Sequence, residues 1–422
     1  MKKNSDQTAG IVFKTASQCL EIWEKRGIPL DDIIDQIDDA GIRPVVSSLL
    51  FEHFRNRAFI DKQLQSKVKR SPKPAIRRAL QVIITQCFFQ TGISSESAVN
   101  VGVSCLKKRY GKAAAGFVNA VMRSLLAEDV KSESESWRLD PLQLLPSPLL
   151  KLWRKQFTKT ELLDIAAAIQ GKPQLTFRLT GQVKETDLTS INATRVKDLP
   201  WESDFVFYRV AEPRTLFSQP WLQEGKVYVQ DPATSLATSM PEIKPGCRIL
   251  DICAAPGGKT LMLAERLGGQ GRLVAADRSA RRQRITSQNF KARNIDCEIV
   301  CGAADELELD AESFDLILVD VPCSNTGVFR HRPDAMWRYN KSSLDEIISL
   351  QRRIVRSALR FLCPGGHLVY STCSIEKCED EAQVGWLLEA DSSLELIKQK
   401  KILPSLQWDG AFAALIRKKN KH

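Results

Sequence analysis

The sequence predicts an α/β chain whose C-terminal part is a doubly wound parallel sheet, preceded by an all-helical domain and a small α/β middle module. Three observations carry this. After Pro245, short apolar strands alternate with helical stretches, as βαβ units require. From about residue 8 to 128 apolar residues recur at helical spacing, as in Ile83, Cys87 and Phe88 and again in Phe117, Val121 and Leu125. Between these regions a helical stretch is mixed with short alternating runs.

In chain order, residues 1–130 read as five or six helices, with Pro and Gly confined to junctions such as SPKP (71–74) and Tyr110-Gly111. The serine-rich, charged run KSESES (131–136) reads as a linker. The middle domain, 140–235, holds a helix over Thr160–Ile169 and strands in QLTFRLT (174–180), FVFYRV (205–210) and KVYVQD (226–231). In 236–422 the strands are RILDIC (248–253), RLVAAD (272–277), CEIVCG (297–302), FDLILVD (314–320) and GHLVYST (366–372). Helices fall at 259–267, 279–293 and 344–362, and Leu394–Ile397 and AFAALI (411–416) offer two closing strands.

Four hundred and twenty-two residues suffice for two to four domains at roughly 100–200 residues each. A composition of 43% hydrophobic and 26% charged residues excludes disordered, collagen-like and coiled-coil chains. No apolar run approaches the roughly 18 residues of a spanning helix, and the N-terminus lacks a signal-peptide core, so a cytoplasmic protein without a membrane partner is expected. A monomer is the expected state. Of the net charge of +11, +7 lies in residues 1–130. Residues 43–78 carry ten Lys or Arg against Glu52 and Asp61, which suits either a polyanion-binding face or a solvated helix face. The eleven cysteines form no CxxC pair and only four histidines accompany them, so no metal is expected.

The chemistry concentrates at strand ends. The strand 248–252 carries Asp251 and runs into CAAPGGKT, where small residues let backbone amides approach a ligand at a helix N-terminus. This is neither G-x-G-x-x-G nor a P-loop. Asp277 ends the next strand, placed for a ribose diol or, alternatively, to cap the helix that follows. With Asp305 and Asp320 these make four acids on one rim, which suit S-adenosylmethionine better than NAD or ATP, whose phosphates they would repel. Cys323, in DVPCSNTGV, and Cys373, in YSTCS, follow two strands that would be neighbours. Amide donors, Arg330 and Arg332 nearby predict a lowered thiol pKa and a nucleophile.

DICAAPGGKT, DVPCSNTGVFRHRPDAMWR and YSTCSIEKCEDE together resemble the motifs of the Sun (Fmu) family of RNA cytosine-5 methyltransferases. SPKPAIRRALQVIITQCFFQ, AVNVGVSCLKKRYG and GFVNAVMRSLL are similar to the NusB-like RNA-binding domain of its RsmB type, which methylates 16S ribosomal RNA. The resemblance implies a Rossmann-like S-adenosylmethionine-dependent methyltransferase domain after an all-α NusB-like domain. It further implies that Cys253, Ala254, Ala255, Pro256, Gly257, Gly258 and Lys259 line the cofactor site with Arg282. Asp277 would take the ribose, Asp305 the adenine side, and Asp320 the rim between methyl donor and base. Cys373 corresponds to the nucleophile and Cys323 to the cysteine that breaks down the covalent adduct. Competing readings are a transfer RNA cytosine-5 methyltransferase and a non-catalytic NusB-like RNA-binding factor. A DNA enzyme would need a Glu-Asn-Val motif, which is absent from the sequence.

Overall fold

The computed structural model describes residues 2–128 and 130–420. The chain divides into two compact units, Met1–Gly171 with Phe329–Tyr339, and Lys172–Val328 with Asn340–His422.

The first unit is helical. Lys2–Arg26, Leu30–Ile34, Arg43–Arg55, Arg57–Lys67, Pro74–Phe89 and Ser95–Leu126 cover the stretch read as five or six helices. Their apolar stripes meet in one core that includes Phe13, Leu50, Phe54, Ile83 and Val118, all 5% exposed or less. The last of these helices kinks at Gly111, whose φ of 85° and ψ of 178° suit a residue without a Cβ.

Two expectations are corrected here. KSESES is not a linker but part of a helix, Val130–Leu139. Val130 and Trp137 flank the polar run at a spacing that puts both on one helix face, and both are buried, Trp137 edge-on to Phe59 at 5.3 Å. Composition alone hides that face. Residues 140–171, expected in the middle module, group with the helices instead: Leu144 joins their core, and Gln170 Nε2 donates to the Pro141 carbonyl at 2.7 Å. The helix expected over Thr160–Ile169 is Lys159–Gln170, started by a capping box between Thr158 and Glu161.

Phe329–Tyr339 also belongs to this unit. Leu30 N donates to Asp334 Oδ2 at 3.1 Å, Arg55 Nη2 to the Arg330 carbonyl at 2.9 Å, and Trp337 Nε1 to the Phe54 carbonyl at 2.8 Å. Partners 275–304 residues apart are invisible to local pattern reading.

The second unit holds two sheets. The smaller is antiparallel, with strands β1 (Leu175–Leu179), β2 (Thr194–Arg195), β3 (Phe207–Val210) and β4 (Val227–Val229) in the order β2-β3-β1-β4. The larger contains β5 (Arg248–Ile252), β6 (Arg272–Asp277), β7 (Glu298–Cys301), β8 (Phe314–Asp320), β9 (Leu362–Thr372), β10 (Leu394–Ile402) and β11 (Ala411–Lys418), in the order β10-β11-β9-β8-β5-β6-β7. Strands β5 to β9 are mutually parallel and the two closing strands are antiparallel.

The central strands are buried on both faces, as helical layers above and below a parallel sheet demand. Leu250, Ile252, Val274, Ile317 and Val319 fill one core, and Ile249, Leu273, Leu316 and Leu318 the other. The chain winds outward from β5 through β6 to β7, then returns to β8 on the other side of β5. Such a reversal opens a crevice at the carboxyl ends of β5 and β8. A helix not foreseen, Glu381–Ala390, joins β9 to β10 and buries Val384 and Leu387. No described helix is long and apolar enough to cross a membrane.

The small sheet is tied to the large one by arginines. Buried Arg178 of β1 donates to Gln230 at 2.8 Å and pairs with Glu265, and Arg293 donates to the Val227 carbonyl at 2.6 Å. These bonds bring the end of β4 to the loop that follows β5.

Candidate active site

The loop after β5 turns through Cys253 (φ 64°) and Gly257 (φ 93°) into the helix Gly258–Leu267. A Cβ on Gly257 would stand 2.9 Å from the Phe290 ring, and its φ is left-handed, so only glycine serves. A Cβ on Gly258 would meet Gln230 Nε2 at 3.0 Å and Tyr228 at 3.1 Å. Around this turn lies a cleft of about 250 Å³, walled by Tyr228, Gln230, Asp231 and Thr234 on one side and by Asp251, Cys253 to Pro256, Gly258, Lys259 and Asp320 on the other.

Asp251 is fully buried at the cleft. Its Oδ2 accepts from Thr260 Oγ1 at 2.6 Å, whereas its Oδ1 has no partner among the described residues. Burial pushes its pKa up to about 7. Lys259 Nζ donates to Asp320 Oδ2 at 2.7 Å. Burial works against the Lys259 ammonium, but Asp320 and, more weakly, Cys373 outweigh it and hold the group above its ordinary value. The unsatisfied acceptor on Asp251 and the close-approach turn at Gly258 fit a ligand rich in N–H and O–H donors, as the ammonium and ribose diol of S-adenosylmethionine are.

The sequence-predicted residues divide accordingly. Cys253, Ala254, Ala255, Pro256, Gly258, Lys259 and Asp320 line the cleft. Asp277 lies behind it, accepting from Ala255 N at 3.2 Å and Ser279 N at 2.8 Å, with Arg282 Nη1 3.8 Å away and Arg282 Nη2 donating to the Ala255 carbonyl. Asp277, Gly257 and Arg282 thus shape the loop. Asp305 does not line the cleft; its carboxylate is half exposed and pairs with Arg353 at 3.7 Å. Tyr228, Gln230, Asp231 and Thr234 were missed, because the strand end KVYVQD and the turn Pro232–Thr234 after it carried no motif to mark them as a cleft wall.

Strands β8 and β9 are parallel neighbours, and their ends bring Cys323 Sγ to 3.2 Å from Cys373 Sγ. Cys373 Sγ also lies 3.4 Å from Asn325 Oδ1. Gly327 N donates to the Cys373 carbonyl at 2.9 Å, and Gly410 N to the Gly327 carbonyl at 2.8 Å, so three loops are sewn together here. A Cβ on Gly327 would stand 2.7 Å from two carbonyl oxygens. A small cavity of about 50 Å³ opens at Cys373 and shares Asp231, Thr234 and Lys259 with the larger cleft.

The expected fall in thiol pKa is corrected for Cys323. Its hydrogen bond with Cys373, and then burial, hold it well above the ordinary thiol value. No arginine figures among the causes that shift Cys323; Arg330 is buried, and Arg332 pairs with Asp31 at 3.5 Å.

Comparison with known proteins follows the same division. Residues 239–410 match the family described as 16S rRNA methyltransferase RsmB/F, and residues 14–127 match the NusB family. Ribosomal RNA small subunit methyltransferase B of Pseudomonas putida is 30% identical over 351 residues, 81% of this chain and 79% of that protein. Its counterpart in Vibrio vulnificus is 29% identical over 352 residues, 82% of each chain. The crystal structure of PH0851 shares the fold with a TM-score of 0.77 at 22% identity, covering 99% of both chains. With a cleft at the switch point of its sheet and an all-helical NusB domain before it, the chain belongs to the RsmB/F family of S-adenosylmethionine-dependent rRNA methyltransferases.

Proposed function

We propose that this chain methylates carbon 5 of a cytosine in 16S ribosomal RNA, in the cytoplasm, through a cysteine adduct. The observation that carries the reading is the pair of thiols 3.2 Å apart, from neighbouring strand ends, beside a cavity that shares Lys259 with the cofactor cleft. Carbon 5 of cytosine is a poor nucleophile until a thiolate adds at carbon 6. Cys373 is placed to add, because it lines the cavity, and Lys259 lines the same cavity. Bound S-adenosylmethionine, held by the loop Cys253–Lys259 and Asp251, supplies the methyl group that carbon 5 takes. Cys323, protonated and 3.2 Å from the Cys373 sulfur, suits the release step: it hands its proton to the Cys373 sulfur as that sulfur is expelled, and the thiolate left behind takes the carbon 5 proton. Asp320, oriented by Lys259, is the acid at the rim that would bind the base.

The test uses the full chain. Cys373→Ala is expected to abolish methyl transfer and the covalent RNA complex while keeping S-adenosylmethionine affinity. Cys323→Ala is expected to accumulate an adduct that survives denaturing electrophoresis. Retained turnover in Cys373→Ala, or trapping by it instead, would overturn the assignment. Bisulfite sequencing of ribosomal and transfer RNA with and without the gene identifies the substrate.

The RNA-holding face we assign to a groove of about 400 Å³ in the first unit, with Lys14, Lys108, Arg109 and Tyr110 on its walls. Lys107, Lys108, Arg109, Tyr110 and Lys112 are all exposed, and the Arg109 guanidinium lies 5.4 Å over the Tyr110 ring. Cations interleaved with an exposed aromatic suit single-stranded RNA. The stretch 43–78 is mixed: Lys69, Arg70 and Lys73 are exposed and Arg78 lines this groove, but several of its arginines are used internally. Arg77 and Arg78 pair with Glu24 at 2.8 Å, Arg55 with Glu52, and Arg57 sits over Trp23 and Trp337.

A further inference from the structure

Glu379 stands in the turn between β9 and the helix Glu381–Ala390, fully buried, and among the described residues no cation pairs with it. A carboxylate in that position is costly unless donors surround it. Four do. Oε1 accepts from Ser324 N at 2.9 Å and from Gln351 Nε2 at 3.0 Å. Oε2 accepts from Ser374 Oγ at 2.6 Å and from Ser324 Oγ.

Ser324 follows Cys323 and Ser374 follows Cys373. One carboxylate therefore grips the residue next to each thiol. The bonds around it extend the clamp: Thr326 Oγ1 lies 3.0 Å from Ser374 Oγ, Gln351 also donates to the Pro322 carbonyl at 3.0 Å, and the Tyr370 hydroxyl donates to the Glu379 carbonyl at 2.6 Å. We infer that Glu379 is a positioning residue for the reaction, setting the register of the two cysteine loops and hence the separation of their sulfurs.

The chemistry explains why a carboxylate serves here and an amide would not. All four groups directed at it are donors, and only a carboxylate accepts at both oxygens; a glutamine would turn an N–H toward at least one of them. The inference rests on the roles proposed for Cys373 and Cys323, since it is their spacing that the clamp controls.

The test is covalent capture by the full-length protein, supplied with S-adenosylmethionine and an RNA whose cytosines carry fluorine at carbon 5. Without a removable proton at that carbon the adduct cannot break down, so its rate of appearance reports thiol addition. Counted per S-adenosylmethionine-binding site, the rate is expected to fall about tenfold to a hundredfold in Glu379→Gln, as small misplacements of reacting groups do. Cofactor affinity should be unchanged. Ser324→Ala and Ser374→Ala should each lower the rate less, and Ser324→Ala should add little in the Glu379→Gln background. Wild-type capture by folded Glu379→Gln, with only a lowered melting temperature, would overturn the positioning role. If Glu379→Gln does not fold, the serine variants decide: wild-type capture by both overturns it. Capture by Cys373→Ala at the wild-type rate would overturn the thiol assignment and the clamp with it, whereas no capture by Cys373→Ala beside normal capture by Glu379→Gln overturns the clamp alone.

Discussion

Asp251 combines a hydrogen bond from Thr260, an oxygen without a partner, and complete burial beside the cofactor loop. Burial raises its folded pKa to about 7, whereas in the unfolded chain it ionises near the ordinary value of about 3.9. A raised acid favours the folded state only while it stays protonated. In cofactor-free protein its contribution is therefore fully kept below about pH 4 and lost as pH climbs to 7, on the order of 4 kcal/mol. Asp251→Asn cannot ionise, so its stability relative to wild type is expected to rise steadily from pH 4 to 7 and level off above. Urea unfolding at several pH values measures this, and a pH-independent difference between the two proteins would refute it. At this scale the sequence disclosed much. That Cys323, Cys373, Lys259 and Asp320 lie together at the strand-end rim was legible because strand ends and small-residue turns announce themselves locally. Glu379 and Gln230 were not, since neither lies in a pattern that marks a buried acceptor or a cleft wall.

Among the elements, the helix Ser95–Leu126 is the one whose local chemistry points outward. Its kink at Gly111 follows Lys107, Lys108, Arg109 and Tyr110, which stay exposed while Val118, Met122 and Leu125 hold the core. If this face holds RNA, Tyr110→Ala should weaken binding by about 1–3 kcal/mol through lost stacking on a base. Replacing Lys108 and Arg109 with Gln should flatten the slope of log affinity against log salt by roughly 1.4, at about 0.7 for each single-strand phosphate contact. The same substitution at Arg77, which does not line the groove, should leave that slope alone and lower stability instead, because its guanidinium is ion-paired to Glu24. Filter-binding titrations at several salt concentrations distinguish the two sets, and an unchanged slope for the Lys108 and Arg109 pair would remove the groove as the RNA face. The basic count over 43–78 mixes two kinds of cation: Arg77 and Arg78 are ion-paired, whereas Lys69, Arg70 and Lys73 are exposed. A charge tally cannot tell a cation facing water from one spent on a carboxylate of another helix.

Across the whole molecule, the segment Phe329–Tyr339 leaves the strand order of the second unit and groups with the first, where Trp337 packs against the helical core. Phe329, Ala335 and Met336 are buried there, Phe329 stacks on Trp153 at 6.0 Å, and Asp334 satisfies the amide that begins the helix Leu30–Ile34. A fragment ending at Gly171 should therefore unfold at lower urea than the same fragment with residues 329–339 attached through a short flexible linker. Burial of the Phe329 and Met336 side chains alone is worth about 1.5–3 kcal/mol each. Equal urea midpoints would show that the segment adds nothing to that core.

Read alone, the residues determined what is written in local order: helical spacing from 8 to 128, the alternation of strands and helices after Pro245, the turn CAAPGGKT, and a cysteine beyond each of two strands. These are set by backbone sterics and by which face of an element is apolar, both of which act over a few neighbouring residues. Tertiary structure alone decided which elements share a core, as with Val130–Leu139 and Phe329–Tyr339. It also decided that β4 walls the cleft beside the loop after β5, and that one buried carboxylate joins the loops of both thiols. Each of those depends on groups brought together from distant parts of the chain, where burial makes every unpaired donor or acceptor costly and so selects its partner by position rather than by sequence.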